Sequence, residues 1–318
     1  MFRQSEPPAG MGPSAIVLGS FDGVHLGHQA LLARARALAD QEGLAAVAVT
    51  FRQHPLSVLC PERAPALLST ADERAQLMEA LGMDGVIELE FTAALAGTQP
   101  EAFMRRICSA LPVRCVVVGY NYTFGFRGQG NAALLERLAG ELGFTCHVVP
   151  PVTLEGGAVS SSRIRACLAE GDTLAAGRLL GRPYGLGGMI EQGKQLGRRL
   201  GFPTLNIDFP AEKAVPSAGV YTGWVSYGGV VVPAVTNIGT NPTVESGRRV
   251  RLETHTLQET PLGYGDRAQA WFGEKLRGEC RFSSVEALQA RVLVDKQTAG
   301  DWSRAHPFAA LWPSAIMP

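Results

Sequence analysis

Lysine is scarce in this chain, and none precedes Lys194; the others are Lys213, Lys275 and Lys296. A lysine-bearing phosphate loop is therefore excluded from the first half, where any bound anion must rely on histidine, arginine and backbone amides. Net charge is also lacking, with 29 basic residues against 29 acidic ones, which argues against a nucleic-acid or acidic-membrane surface as the main partner. No stretch approaches the roughly 18 uninterrupted apolar residues of a membrane span. Residues 1–13 are polar, contain proline and glycine, and lack the apolar core of a signal peptide. The six cysteines, Cys60, Cys108, Cys115, Cys146, Cys167 and Cys280, form no Cys-x-x-Cys pair. They are expected to be reduced core residues in a cytoplasmic setting. There is no internal repeat or low-complexity run, and nothing specifies an oligomeric state.

What is present is enough chain for two domains, at 318 residues. Strand-like runs at residues 15–19, 44–51, 84–89, 113–119 and 144–150 alternate with helix-like runs at 29–42, 71–81, 100–110 and 131–142. Alternation of this kind builds an α/β domain, a parallel sheet with helices on both faces. Ligands bind beyond the carboxyl ends of such strands, and polar or glycine-containing segments follow three of them: 19–28, 52–55 and 119–131. Two further helices, from Ser160 to about Glu170 and over Thr173–Leu180, close this domain, expected over 14–182. After Gly181-Arg-Pro183 helices become rare. Six short β-rich runs (184–192, 204–207, 219–227, 230–238, 251–256 and 269–282) predict a small antiparallel barrel over 183–306, with one helix from Val285 to about Lys296.

The segment Gly19-Ser-Phe-Asp-Gly-Val-His-Leu-Gly-His28 joins an apolar strand to an amphipathic helix. Glycines allow close backbone approach, and the amides and dipole at a helix start attract an anion. His25 and His28 then lie where that anion would be. The pair also has the look of half a metal site, but no third ligand is near it in sequence. Ser160-Ser161-Ser162-Arg163-Ile164-Arg165 opens a helix; one serine suffices for a cap, so the remaining hydroxyls and two arginines are candidates to hold phosphates.

In the second half, Gly188 to Gln195 nearly spells a phosphate loop but has Gln195 where magnesium needs Ser or Thr, and no helix follows. In Gly197-Arg198-Arg199-Leu200-Gly201-Phe202-Pro203-Thr204-Leu205-Asn206, Thr204 and Asn206 share one strand face, two oxygen donors suited to a hard cation such as Mg2+. They are equally ordinary turn residues. Glu253 shares a strand face with Arg251 and His255; facing a pocket it would be a general base, and otherwise it is a solvated strand residue.

The pattern Gly-x-Phe-Asp-x-x-His-x-Gly-His over Gly19–His28 resembles the signature of nucleotidyltransferases that lack a phosphate loop. Six further motifs follow in order: Thr50-Phe-x-x-His-Pro55, Gly119-x-Asn-x-x-Phe-Gly125, Ser161-Ser-x-Ile-Arg165, Gly201-Phe-Pro-Thr-x-Asn206, Asn237-Ile-Gly-Thr-x-Pro-Thr243 and Leu252-Glu-x-His255. From about Ser14 to Asp301 the chain is similar to the bacterial bifunctional riboflavin kinase and FAD synthetase family.

The resemblance implies a Rossmann-like FMN adenylyltransferase domain followed by a riboflavin kinase barrel, with ATP as co-substrate and riboflavin, FMN and FAD as substrates and products. It implies that Thr204 and Asn206 bind magnesium and ATP phosphates and that Glu253 is the base for the terminal ribityl hydroxyl. Arg198, Arg199 and Lys194 are candidates for phosphate contacts, and the resemblance implies that the segment with Gly197, Gly201 and Pro203 lies against the ATP phosphates. In the other domain it implies that His25 and His28, with Gly19, Phe21, Asp22 and Gly27 around them, stabilise the α-phosphate and leaving pyrophosphate. Asn121 would lie near the flavin phosphate or its metal, and Ser161, Ser162 and Arg165 would hold ATP. Arg52, Gln53, Ser162 and the run Thr256–Glu259 depart from the family's usual residues. The competing readings are another nucleotidyltransferase with an attached barrel and a flavin sensor without turnover.

Overall fold

The fold is described from a computed structural model, in residues 1–193, 201–240 and 250–311. The chain divides into two compact units, Met1–Ser161 and Ser162–Pro318, upstream of the composition change at Gly181–Pro183.

In the first unit the strands β1 (Phe2–Gln4), β2 (Ser14–Leu18), β3 (Ala45–Phe51), β4 (Gly85–Leu89), β5 (Val113–Gly119) and β6 (Thr145–Val149) form one sheet. Their order is β1-β4-β3-β2-β5-β6, and every neighbouring pair is parallel. Every residue of β2 is buried, as expected for the centre of a sheet covered on both sides. Ala15 and Val17 point to a core built with α1 (Leu26–Glu42) and Met78 of α3 (Ala71–Ala80); Ile16 and Leu18 point to the other core, with α5 (Pro100–Ala110) and α6 (Ala132–Leu142). Two short helices, α2 (Pro55–Leu59) and α4 (Ala93–Ala96), sit in the connections. Strand order reverses at β2, so the loops after β2, β3 and β5 gather where an open α/β sheet takes its ligands.

Two local features differ from the sequence expectation. Residues 2–4, within a stretch read only as polar, add an edge strand: the Phe2 ring covers Gly85 so closely that a β-carbon there would lie 2.1 Å from it. Arg3 pairs with Glu88 at 3.0 Å and Asp72 at 2.6 Å. Three residues are too few to carry a periodic signal. Helix α1 also begins earlier than Gln29, at Leu26, because His25 caps it.

A small hairpin, β7 (Thr153–Leu154) with β8 (Gly157–Ala158), leads to α7 (Ser161–Glu170) and α8 (Thr173–Leu180). In the second unit α8 packs on the barrel, where the Thr173 hydroxyl donates to the Gly273 carbonyl. Strands β9 (Tyr184–Glu191), β10 (Leu205–Asp208), β11 (Gly219–Tyr227), β12 (Val230–Thr240), β13 (Val250–Thr256) and β14 (Arg267–Arg277) close a barrel in the order β10-β13-β12-β11-β14-β9. All of its pairings are antiparallel. Helix α9 (Val285–Ala305) covers β11 and β12. It runs past Lys296 although Gly300 weakens it, since Ala299 and Trp302 are buried and Trp302 packs on Trp224 with ring centroids 4.9 Å apart.

The cysteines are free thiols. Cys115 is buried as expected, but Cys280 is exposed, in the segment between β14 and α9.

Candidate functional site

The turn after β2 holds three unusual backbone positions within residues 21–24: Phe21 at φ 53°, Gly23 at 83° and Val24 at 40°. For Phe and β-branched Val this region is strained, costing on the order of 1–3 kcal/mol each, and it persists only where surroundings over-determine it. They do. Phe21 and Val24 are fully buried. The buried Asp22 carboxylate accepts the amides of Leu68 (2.9 Å) and Ser69 (3.0 Å), and the Ser69 hydroxyl accepts the Gly23 amide at 2.8 Å. Ser161 donates its hydroxyl to the Asp22 carbonyl at 2.9 Å, and Thr50 donates to the Ser20 carbonyl at 3.2 Å.

Behind this lies Arg74, which sequence reasoning missed. The residue is 3% exposed, and its guanidinium donates to the carbonyls of Phe51 (3.0 Å), Arg52 (2.9 Å) and Ser69 (3.4 Å). Burial lowers its pKa from the usual arginine range, opposed by the nearby Asp22 and Glu88 carboxylates. Arg74 thus joins the loop after β3 to the Ser69 turn and, through it, to Asp22. The available signal was an arginine on the buried face of a helix opened by the capping box Thr70–Glu73.

The two histidines emerge from this platform. His25 is the N-cap of α1: its Nδ1 accepts the His28 amide at 3.3 Å, which puts the proton of the neutral ring on Nε2. The rings stack with centroids 3.6 Å apart, and Phe21 meets His28 edge-on at 5.3 Å. Gly27 explains the spacing of the motif: a β-carbon there would lie 3.1 Å from His25 Cε1. Gly19 similarly lies over the Phe21 ring. Asn121 is exposed just beyond β5, and Ser161, Ser162 and Arg165 occupy the first turns of α7.

On the barrel, register aligns the second set. Asn206 on β10 is opposite Glu253 on β13, which is opposite Asn237 on β12. Directly opposed residues share a face with β-carbons about 4.5–5.5 Å apart. Leu252, Thr254 and Thr236 point the other way, into the barrel, where the two threonine hydroxyls lie 3.1 Å apart. Glu253 therefore faces outward, as the alternation predicts, and α9 covers that side. Between them lies a cavity of about 270 Å³ whose wall includes Thr204, Asn237, Glu253, His255, Arg277 and Lys296. The contribution of α9 and of residues 277–282 escaped sequence reasoning. Its trace was Asp295, an acid in register with Leu288 and Val292; buried, it takes Arg277 at 2.8 Å and Arg291 at 3.1 Å.

Asn206 is packed under Gly193, where a β-carbon would lie 2.3 Å from Nδ2. Among the described residues no group of three His, Cys, Asp or Glu side chains is placed to hold a metal. A magnesium ion that arrives with a nucleotide takes most of its ligands from phosphate oxygens and water; Thr204, on the cavity wall, and Asn206 are neutral oxygen donors that would suit the remaining positions. Gly201 and Pro203 are in the segment leading to Thr204, while Lys194, Gly197, Arg198 and Arg199 lie outside the described residues, as do positions 241–243 of the Asn237 motif.

Comparison with known proteins agrees with this division. A family model described as FAD synthetase matches residues 9–163, and one described as riboflavin kinase matches residues 180–303. A bifunctional riboflavin kinase/FMN adenylyltransferase of Pseudomonas fluorescens is 38% identical over 283 residues, 89% of this chain and 90% of that protein. Those of Bacillus subtilis and Escherichia coli K12 are 32% and 33% identical over 290 residues, each covering 90% of this chain. A crystal structure from Streptococcus pneumoniae described as a macrolide-efflux protein superposes with a TM-score of 0.87 at 27% identity, over 95% of this chain and 100% of that one. Among the described residues of the present chain no helix is long and apolar enough to cross a membrane. With a six-stranded parallel α/β unit, a closed six-stranded barrel and relatives matched nearly end to end, the chain belongs to the bifunctional riboflavin kinase/FMN adenylyltransferase family.

Proposed function

We propose that the chain makes FMN from riboflavin and ATP at the outer face of its barrel and then FAD from FMN and ATP at the turn after β2. Residues 183–306 carry the kinase and residues 14–182 the adenylyltransferase. The observation that carries the kinase assignment is Glu253, held between Asn206 and Asn237 on the wall of the cavity under α9.

A ribityl hydroxyl is a poor nucleophile until its proton leaves. Glu253 takes that proton as the oxygen attacks the γ-phosphorus; the bond from γ-phosphorus to the bridging oxygen breaks, and ADP departs. Thr204 and Asn206 would hold a magnesium ion bound with ATP, which would neutralise the transferred charge, and the backbone from Gly201 to Pro203 shapes the phosphate site.

Adenylylation demands less of a base, since the FMN phosphate is already ionised. Its oxygen attacks the α-phosphorus, and pyrophosphate leaves. His25 and His28 offer N–H groups to the charge that builds there, with the helix start behind them. Gly19 and Gly27 keep the approach open, while Phe21 and Asp22 hold the turn from behind. Asn121 attends the flavin phosphate, and Ser161, Ser162 and Arg165 the phosphates of ATP. Dependence of both reactions on ATP supports a cytoplasmic setting.

The test separates the sites. Glu253→Gln should abolish FMN formation while adenylylation of supplied FMN continues; His28→Ala should let FMN accumulate without FAD. Loss of both activities in either variant would refute the two-site division.

A further inference from the structure

Backbone pairing between β10 and β13 begins only at Leu205, opposite Thr254. The preceding Pro203 has no N–H with which to extend the ladder. The connection is made by a side chain instead. His255 Nδ1 lies 2.7 Å from the Pro203 carbonyl oxygen; a carbonyl can only accept, so Nδ1 carries the proton. The same imidazole meets the Phe202 ring edge-on, centroids 6.2 Å apart and planes at 86°. From α9, Lys296 places its ammonium over that ring, 5.2 Å from the centroid. Phe202 and Pro203 are thus held from two elements, and Thr204 is the next residue. His255 is two residues from Glu253 and on the same strand face, and all of these side chains except Pro203 line the cavity under α9.

We propose that His255 is a positioning residue of the kinase site: its hydrogen bond to Pro203 fixes where Thr204 stands relative to Glu253. This rests on the kinase reading above. The base comes from β13 and the proposed cation ligand from the segment entering β10, and the two are joined by a short ladder that proline cuts off. The His255 bond replaces the missing rung. Its removal should therefore loosen the phosphate and cation side of the site more than the flavin side.

The experiment compares His255→Ala, His255→Asn and His255→Phe in the full chain, with riboflavin and Mg–ATP varied separately and adenylylation of supplied FMN as the internal control. The Asn side-chain amide reaches the place of Nδ1 and keeps the donor; Phe keeps the ring and loses it. His255→Ala and His255→Phe should raise KM for Mg–ATP, and the magnesium concentration needed for half-maximal rate, by about tenfold, the scale of one hydrogen bond. KM for riboflavin should change less than about threefold, and His255→Asn should return Mg–ATP binding to within about threefold of the parent. Parent-like behaviour of His255→Phe, an Asn variant no better than Ala, or a loss confined to riboflavin KM would overturn the proposal. Should the Ala variant fail to fold, the Asn against Phe comparison decides. Absence of FMN from the unmodified chain would instead overturn the kinase reading and this inference with it.

Discussion

Replacing Asp22 by asparagine tests whether the adenylyltransferase turn is held by its buried carboxylate. The shape is unchanged, but one carboxylate oxygen becomes an NH2 group. In the parent, Oδ1 accepts from Leu68 and Ser69 amides at 2.9 and 3.0 Å, and Oδ2 lies 3.2 Å from the Leu68 amide. Whichever way the new amide turns, a donor faces a donor, and the surviving bonds lose their charge assistance. A hydrogen bond to a charged group contributes about 1.5–3 kcal/mol, and a buried unmatched donor costs about 1–3 kcal/mol. A net loss on the order of 3 kcal/mol follows, against strain of comparable size at Phe21 and Val24 that the network offsets. For a unit of this size that is a fall of roughly 6–12 °C in the thermal midpoint. Calorimetry should show that shift in the first-unit transition, and chromatography of flavins should show FAD formation reduced at least tenfold with FMN formation intact. An unshifted transition with parental FAD output would refute the assignment of Asp22 as the holder of the turn.

Arg74→Met removes three donors from the Phe51, Arg52 and Ser69 carbonyls; it should destabilise the first unit by about 2–4 kcal/mol and lower FAD formation, with Arg74→Lys intermediate, as read by denaturant midpoints and flavin assays. Equal midpoints for both variants and the parent would contradict it. His147 has its pKa lowered by burial and by Arg34, with Glu42 opposing, so below the unfolded value of about 6.5 the unfolded chain binds more protons and stability falls with falling pH. That fall should begin near pH 6.5 and be smaller in His147→Asn; identical pH profiles would remove His147 as its source.

Much of this was legible in the sequence because the signals were long or chemically unusual. The central strands showed as apolar runs, and β2 is buried along its whole length. The alternation that put Glu253 and His255 on one face needed only the pleat, and the register of β13 with β10 and β12 then brought Asn206 and Asn237 beside Glu253. What stayed hidden was set by tertiary contact. Phe2–Gln4 is a strand because Gly85 leaves room for Phe2, and α9 outruns Lys296 because Trp302 has Trp224 to pack on. Asp22, read as a ligand-binding residue, has its carboxylate turned to the Leu68–Ser69 amides, a contact 46 residues away in sequence. Arg74 gave no motif at all, since its partners are backbone carbonyls that any residue supplies.

The central claim is that one chain performs two successive reactions on a flavin. Its most direct test is a time course of the purified chain with riboflavin, ATP and magnesium, flavins separated by chromatography. FMN should form first and FAD should follow after a lag, each at the expense of its precursor. No conversion of riboflavin, or FMN that never proceeds to FAD under ATP excess, would contradict the account.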